Sequence, residues 1–190
     1  MSSIVDICNE ALSRVQAPRI TALDDDTESA IECDRAYDAA RRHVLAAGDW
    51  VFATKVVALG RLSDAELGWE YAYEMPTDVM KVLGPYDPHT RRVKNVRFEA
   101  RGSHLLADED DVSLKYIYDI VDSTKFPPLF VEALAFRLGY AIAMPLTESW
   151  ATQNNMARGY QTALSEARAD NSNIGEDCYS PFTRYADVRQ

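Results

Sequence analysis

Apolar positions return every three to four residues from Ile4 onward, through Val5, Cys8, Ala11, Leu12 and Val15. That period predicts an amphipathic helix over 3–16, with Ser3 able to cap its first turn and Pro18 closing the segment. A second helical stripe, Ala30, Cys33, Tyr37, Ala40, Val44 and Ala47, predicts a helix over 27–47. Its start follows Asp24-Asp25-Asp26-Thr27-Glu28, whose acids suit the positive end of a helix, and Gly48 ends it.

From Trp50 the period falls to two. Trp50–Leu59 is apolar on both faces, while Trp69-Glu70-Tyr71-Ala72-Tyr73-Glu74 alternates aromatic residues with Glu or Ala, so both read as strands. Further strands are predicted at 79–83, 91–98, 104–107 and 112–120, the last with Val112, Leu114, Tyr116, Tyr118 and Ile120 on one face. Gly84-Pro85, Asp87-Pro88, Arg101-Gly102-Ser103 and 108–111 supply the turns, giving a meander-like antiparallel sheet. After Phe126-Pro127-Pro128 the helical period returns over 128–144, and again over 148–169 beyond Pro145 and Thr147. Residues 171–190 lose it and read as an extended, mobile C-terminal tail. The prediction is an α+β fold, with about four helices from both chain ends forming a bundle into which an antiparallel sheet of about 50–120 is inserted. Residues 1–170 are expected to form a single domain.

Composition narrows the function classes. The 190 residues carry 20 Lys+Arg against 30 Asp+Glu, a formal net charge of −10. Affinity for nucleic acid comes mainly from clustered cations that release counterions, so this balance argues against wrapping DNA or RNA. No apolar run approaches the roughly 18 residues of a membrane helix, and the N-terminus lacks a signal peptide's basic region, so a protein of a reduced cytosol with no membrane partner is expected. Cys8, Cys33 and Cys178 form no C-x-x-C pair. The first two fall on apolar helix stripes and read as buried thiols.

The chemistry of a catalytic site is hard to find. His43, His89 and His104 are the three histidines, and no H-E-x-x-H, G-x-S-x-G or phosphate-binding glycine pattern accompanies them. The acidic groups 24–26 and 108–111 lack the alternating ligands of a calcium loop and read as helix-end charge and a solvated turn. No metal, cofactor or catalytic residue is expected. Glu132 is the one acid set closely among apolar helix residues, the type of position a glycosidase acid occupies, which keeps a peptidoglycan hydrolase as the alternative. Trp69, Tyr71 and Tyr73 read as core before ligand platform. Arg91-Arg92, Lys94, Arg97 and Arg101 form the one basic cluster, either a solvated strand face or a contact with phosphate or an acidic neighbouring subunit. Tyr179, Phe182 and Tyr185 recur every three residues around Pro181, aromatic anchors for a partner's groove.

The order of several segments resembles a known family. Ile7-Cys8-Asn9-Glu10-Ala11-Leu12 precedes Ile20-Thr21-Ala22-Leu23-Asp24-Asp25, and Cys33-Asp34-Arg35-Ala36-Tyr37-Asp38 leads into Gly48-Asp49-Trp50-Val51-Phe52-Ala53. Then follow 69–78, Tyr116-Ile117-Tyr118-Asp119, and Phe126 before an Ala-rich helix pair. Over roughly residues 4–169 this resembles the tail tubular protein A family, the head-to-tail adaptor or gatekeeper proteins of tailed phages. The resemblance implies a non-enzymatic virion protein, assembled in the host cytoplasm, that forms a ring, usually of twelve copies, between portal and tail nozzle. Double-stranded DNA passes through such a ring without specific binding, which suits acid-rich walls that repel phosphate. On that reading Tyr179, Phe182 and Tyr185 meet the portal protein, and Arg91, Arg92 and Lys94 meet a neighbouring subunit.

Overall fold

The structure, a computed structural model, describes residues 2–64 and 68–175. Helix α1 (Ile4–Arg14) starts where Ser3 and Asp6 satisfy each other's backbone N–H groups in a capping box. Helix α2 (Glu28–Ala47) is capped by Thr27. The chain then passes a single 3-10 turn at Val51–Ala53 into seven strands: β1 (Thr54–Ala58), β2 (Tyr71–Glu74), β3 (Val79–Asp87), β4 (Arg92–Val93), β5 (Phe98–Arg101), β6 (His104–Ala107) and β7 (Ser113–Tyr118). Helices α3 (Pro128–Thr147) and α4 (Trp150–Gly175) complete the α+β fold.

Helix α3 is the axis of the bundle, packed by α1, α2 and α4. It is 20 residues long, with a mean hydropathy of 1.5 over its most apolar window, and so corrects the expectation that no segment is long and apolar enough for a membrane span. Its composition follows from its position, since a helix covered by three others is apolar nearly all round. Small residues let α4 close on it. A Cβ on Gly159 would lie 2.3 Å from the ring of Phe136, and one on Gly139 would lie 3.1 Å from the Met156 sulfur.

The expected single meander is instead two antiparallel sheets, one ordered β1-β7-β3-β4 and the other β2-β6-β5. Strand β7 returns to lie between β1 and β3 and serves two cores: Leu114 and Tyr116 pack with Tyr73, Leu105, Ala107 and Val112, while Ile117, and Ile120 just past the strand, join the helical core. Ile120 therefore leaves the face predicted for it. Gly84-Pro85 is not a turn but lies within β3, where the register shifts between Val82 and Gly84 and Gly84 takes φ 132°. A Cβ there would meet Val93 at 2.9 Å. Residues 51–53, expected as strand, form the 3-10 turn, and the predicted 91–98 strand divides into β4 and the start of β5.

Two helix ends also differ from expectation. Pro145 falls in the last turn of α3 rather than after it, and having no N–H it leaves the Ala141 carbonyl without its helical donor there. Glu148, at φ 50°, turns the chain directly into α4. Helix α4 does not stop at 169. Asn171 accepts from the Val51 N–H at 2.8 Å and donates to the Asp49 carbonyl at 2.9 Å, so tertiary bonds carry the helix through Asn171-Ser172-Asn173 to Gly175 despite their weak helix propensity.

The insertion is closed at its root by aromatic rings. Trp50 meets Phe130 edge-on at 5.1 Å, and Phe52 and Phe126 lie 4.9 and 5.0 Å from the same ring. The Trp50 indole N–H donates to the Val44 carbonyl at 2.9 Å, tying the exit of α2 to the first residue of the insertion.

Candidate functional site

The segments that carry the resemblance are tied to one another by polar contacts. Asn9 brackets Ile20 from both sides, donating to its carbonyl and accepting from its N–H, each at 2.9 Å. Arg41 is 1% exposed; its Nη1 donates to Asp119 and, at 2.7 Å, to the Ile120 carbonyl, while Asp119 also accepts from Arg42 at 3.0 Å. Asp78 accepts from Lys55 at 2.7 Å and from the Tyr116 hydroxyl at 3.0 Å. Lys55 holds the Asp78 carboxyl below its ordinary value, with the Tyr116 bond adding to that. Burial first, and then this carboxylate, push the Tyr116 phenol up to about 12. These residues join α2 and the sheets; none forms a nucleophile with a base beside it.

The basic cluster is dispersed. Arg91 and Arg92 sit exposed at the β3–β4 hairpin, Arg91 in the left-handed region at φ 55°. Among the described residues neither side chain meets a carboxylate. Lys94 is already engaged, 2.5 Å from Glu109, and that bond raises its pKa. Arg97 lies over the Trp69 ring at 4.0 Å and reaches Asp108 at 3.4 Å, while Arg101 pairs with Glu99 at 2.8 Å. The structure thus separates Lys94 from Arg91 and Arg92 in its availability to a neighbour.

In the acidic turn 108–111, Asp108, Glu109 and Asp110 each pair with a cation. Asp110 binds Arg61 at 2.6 Å, and the Tyr73 hydroxyl donates to the Asp110 carbonyl at 2.7 Å. Asp25 accepts from the backbone of Thr21 and Ala22, which lowers its pKa, the Ala22 N–H first. Among the described residues no group of three or more His, Cys, Asp or Glu gathers as a metal cage. Tyr73 is core, whereas Trp69 and Tyr71 are half-buried under guanidinium groups rather than open as a platform. Cys8 and Cys33 are buried free thiols; a hydrogen bond with Cys33, then burial, raises the Cys8 pKa.

Glu132 is not enclosed by apolar groups. Its carboxylate lies 3.5 Å from Arg14, which also holds Glu10 at 2.7 Å and stacks at 4.0 Å on Phe136. A side chain shared in that way is an ion-pair member on the α1–α3 seam. Tyr179, Phe182 and Tyr185, with Cys178, lie outside the described residues.

One surface was missed in the sequence. Strand β1 is an edge strand that exposes a valine on each face, Val56 at 46% and Val57 at 38%, with Val51 exposed in the turn before it. The run of apolar residues that indicates a buried strand also indicates one that another chain covers. A second exposed apolar residue, Trp150 at 69%, stands at the corner between α3 and α4. Compared with known proteins, the chain matches no protein-family model and no curated protein sequence.

Proposed function

We propose that this protein is a structural subunit of a tailed-phage virion, a head-to-tail adaptor that assembles as a ring between portal and tail nozzle and lets DNA pass through its lumen. The observation that carries the reading is strand β1, whose free edge and exposed valines are a ready surface for a second copy. Where that edge meets a different surface of the next copy the contact is heterologous, and it closes into a ring when the rotation between copies permits. The acid surplus of ten charges supports a conduit role, because a wall that repels phosphate does not arrest moving DNA. The role of the quoted family segments in bracing the bundle against the sheets supports it too, as a scaffold needs rigidity more than a reactive centre. In this reading Arg91 and Arg92 face an acidic neighbour, Tyr179, Phe182 and Tyr185 engage the portal, and no reaction is catalysed. Lys94 serves within the subunit. The test is the Val56→Asp/Val57→Asp double variant, mixed with portal protein and imaged by electron microscopy. It should remain folded by circular dichroism and form no closed collar where the parent does; a normal collar from the variant refutes the assignment of β1.

A further inference from the structure

Between α2, α3 and α4 lies a cleft of about 280 Å³, lined by His43, Arg137, Tyr140, Ala157, Tyr160 and Gln161. No acid is among its lining residues, in a chain with 30 acids to 20 bases. Arg137 makes no ion pair among the described residues, and its guanidinium lies 5.1 Å from the Tyr140 ring. Tyr160 is 6% exposed, and its buried hydroxyl has no hydrogen-bond partner. A buried hydroxyl in that state is a standing cost that a bound acceptor removes. The His43 ring sits 5.8 Å from the Tyr160 ring, on the rim. Partial burial, and secondly the charge of Arg137, lower the His43 pKa.

The lining thus offers the donors of Arg137, His43 and Gln161, with Arg137 its one permanent cation. That set matches a planar monoanion, since a guanidinium binds a carboxylate through two parallel bonds. From this geometry we infer that the cleft is a receptor for a carboxylate group, carried by a small organic acid or by an acidic side chain of a second copy of this chain. The inference stands apart from the adaptor reading, since it needs neither portal nor ring.

The test is heteronuclear NMR of the full chain, following the three histidine side chains during titration with sodium acetate, against sodium chloride at matched ionic strength. His43 should shift saturably while His89 and His104 serve as internal controls. Arg137→Gln should weaken acetate binding at least about tenfold, and the isosteric Tyr160→Phe about threefold or more. Because the hydroxyl of Tyr160 makes no bond in the free protein, Tyr160→Phe should not lower the melting temperature. Sedimentation in chloride then identifies the source: self-association dissolved by both acetate and Arg137→Gln assigns the carboxylate to a second copy, and a chain that stays monomeric assigns it to a small acid. A His43 response that is linear, or shared by the other histidines, or unchanged in Arg137→Gln, overturns the inference.

Discussion

Replacing Asp119 with alanine strips the buried Arg41 guanidinium of its main counter-charge. What remains is the Ile120 carbonyl at 2.7 Å and the exposed Asp38 carboxylate at 3.3 Å. Leaving an uncompensated charge in a protein interior costs about 3–5 kcal/mol. Asp38 supplies part of the lost compensation, so the lower end applies, about 3 kcal/mol. Arg41→Met behaves differently, because it removes the buried charge together with its donors and roughly keeps the volume. Asp119 then still has Arg42 at 3.0 Å, and the main loss is the donor to Ile120, about 1–2 kcal/mol. With a urea dependence of about 2 kcal/mol per molar, the unfolding midpoint should fall by about 1.5 M for Asp119→Ala and by about 0.5–1 M for Arg41→Met. The double variant should be more stable than the sum of the two losses implies. An Arg41→Met chain as unstable as Asp119→Ala, or an Asp119→Ala midpoint within about 0.3 M of the parent, would mean that Asp119 does not compensate a buried Arg41 charge.

Gly159→Ala should destabilise even though alanine is the better helix former by about 1 kcal/mol, because its Cβ falls 2.3 Å from the Phe136 ring that Arg14 covers. Calorimetry should show a melting temperature lower by about 3 °C or more, and a rise would disprove the close approach. Asn171→Ala removes both bonds that hold the end of α4 to residues 49–51, and should cost about 1–2 kcal/mol in urea titration, with no change meaning that the clasp is idle. Acid should destabilise the fold through Asp6, Asp25, Asp78 and Asp87, whose folded pKa values lie below the ordinary carboxylate value near 4. Between the folded and unfolded pKa the unfolded chain holds more protons, so their contribution is complete above about pH 5 and is lost as pH falls below about 4. A melting temperature flat from pH 7 to 3 would contradict this.

The helical half of the fold was legible because its signal is local. The stripe from Ile4 to Val15 and the stripe from Ala30 to Ala47 both became buried faces, with Ser3 and Thr27 as caps. The sheets were legible as strands but not as two layers. Nothing near Ser113–Tyr118 announces that this strand lies between β1 and β3, since register and neighbour are set by contacts far apart in sequence. Gly84-Pro85 carried a turn signal that the bulge in β3 absorbed. The end of α4 was misjudged because Asn171 finds its partners 120 residues earlier in the chain. Of the basic residues, Arg91 and Arg92 are exposed, whereas Lys94 is occupied by Glu109, which no spacing rule foretells. The cleft at Arg137 draws on three helices, so its residues are never neighbours in the sequence.

The adaptor assignment is tested most directly by the mass and symmetry of the complex formed with a portal ring. The purified full chain is mixed with portal rings, and the product is weighed by native mass spectrometry and imaged by electron microscopy. The account predicts a closed, rotationally symmetric collar of this protein seated on the portal, with an open lumen wide enough for duplex DNA. A chain that stays monomeric beside unoccupied portals, under conditions in which it is folded, would contradict it.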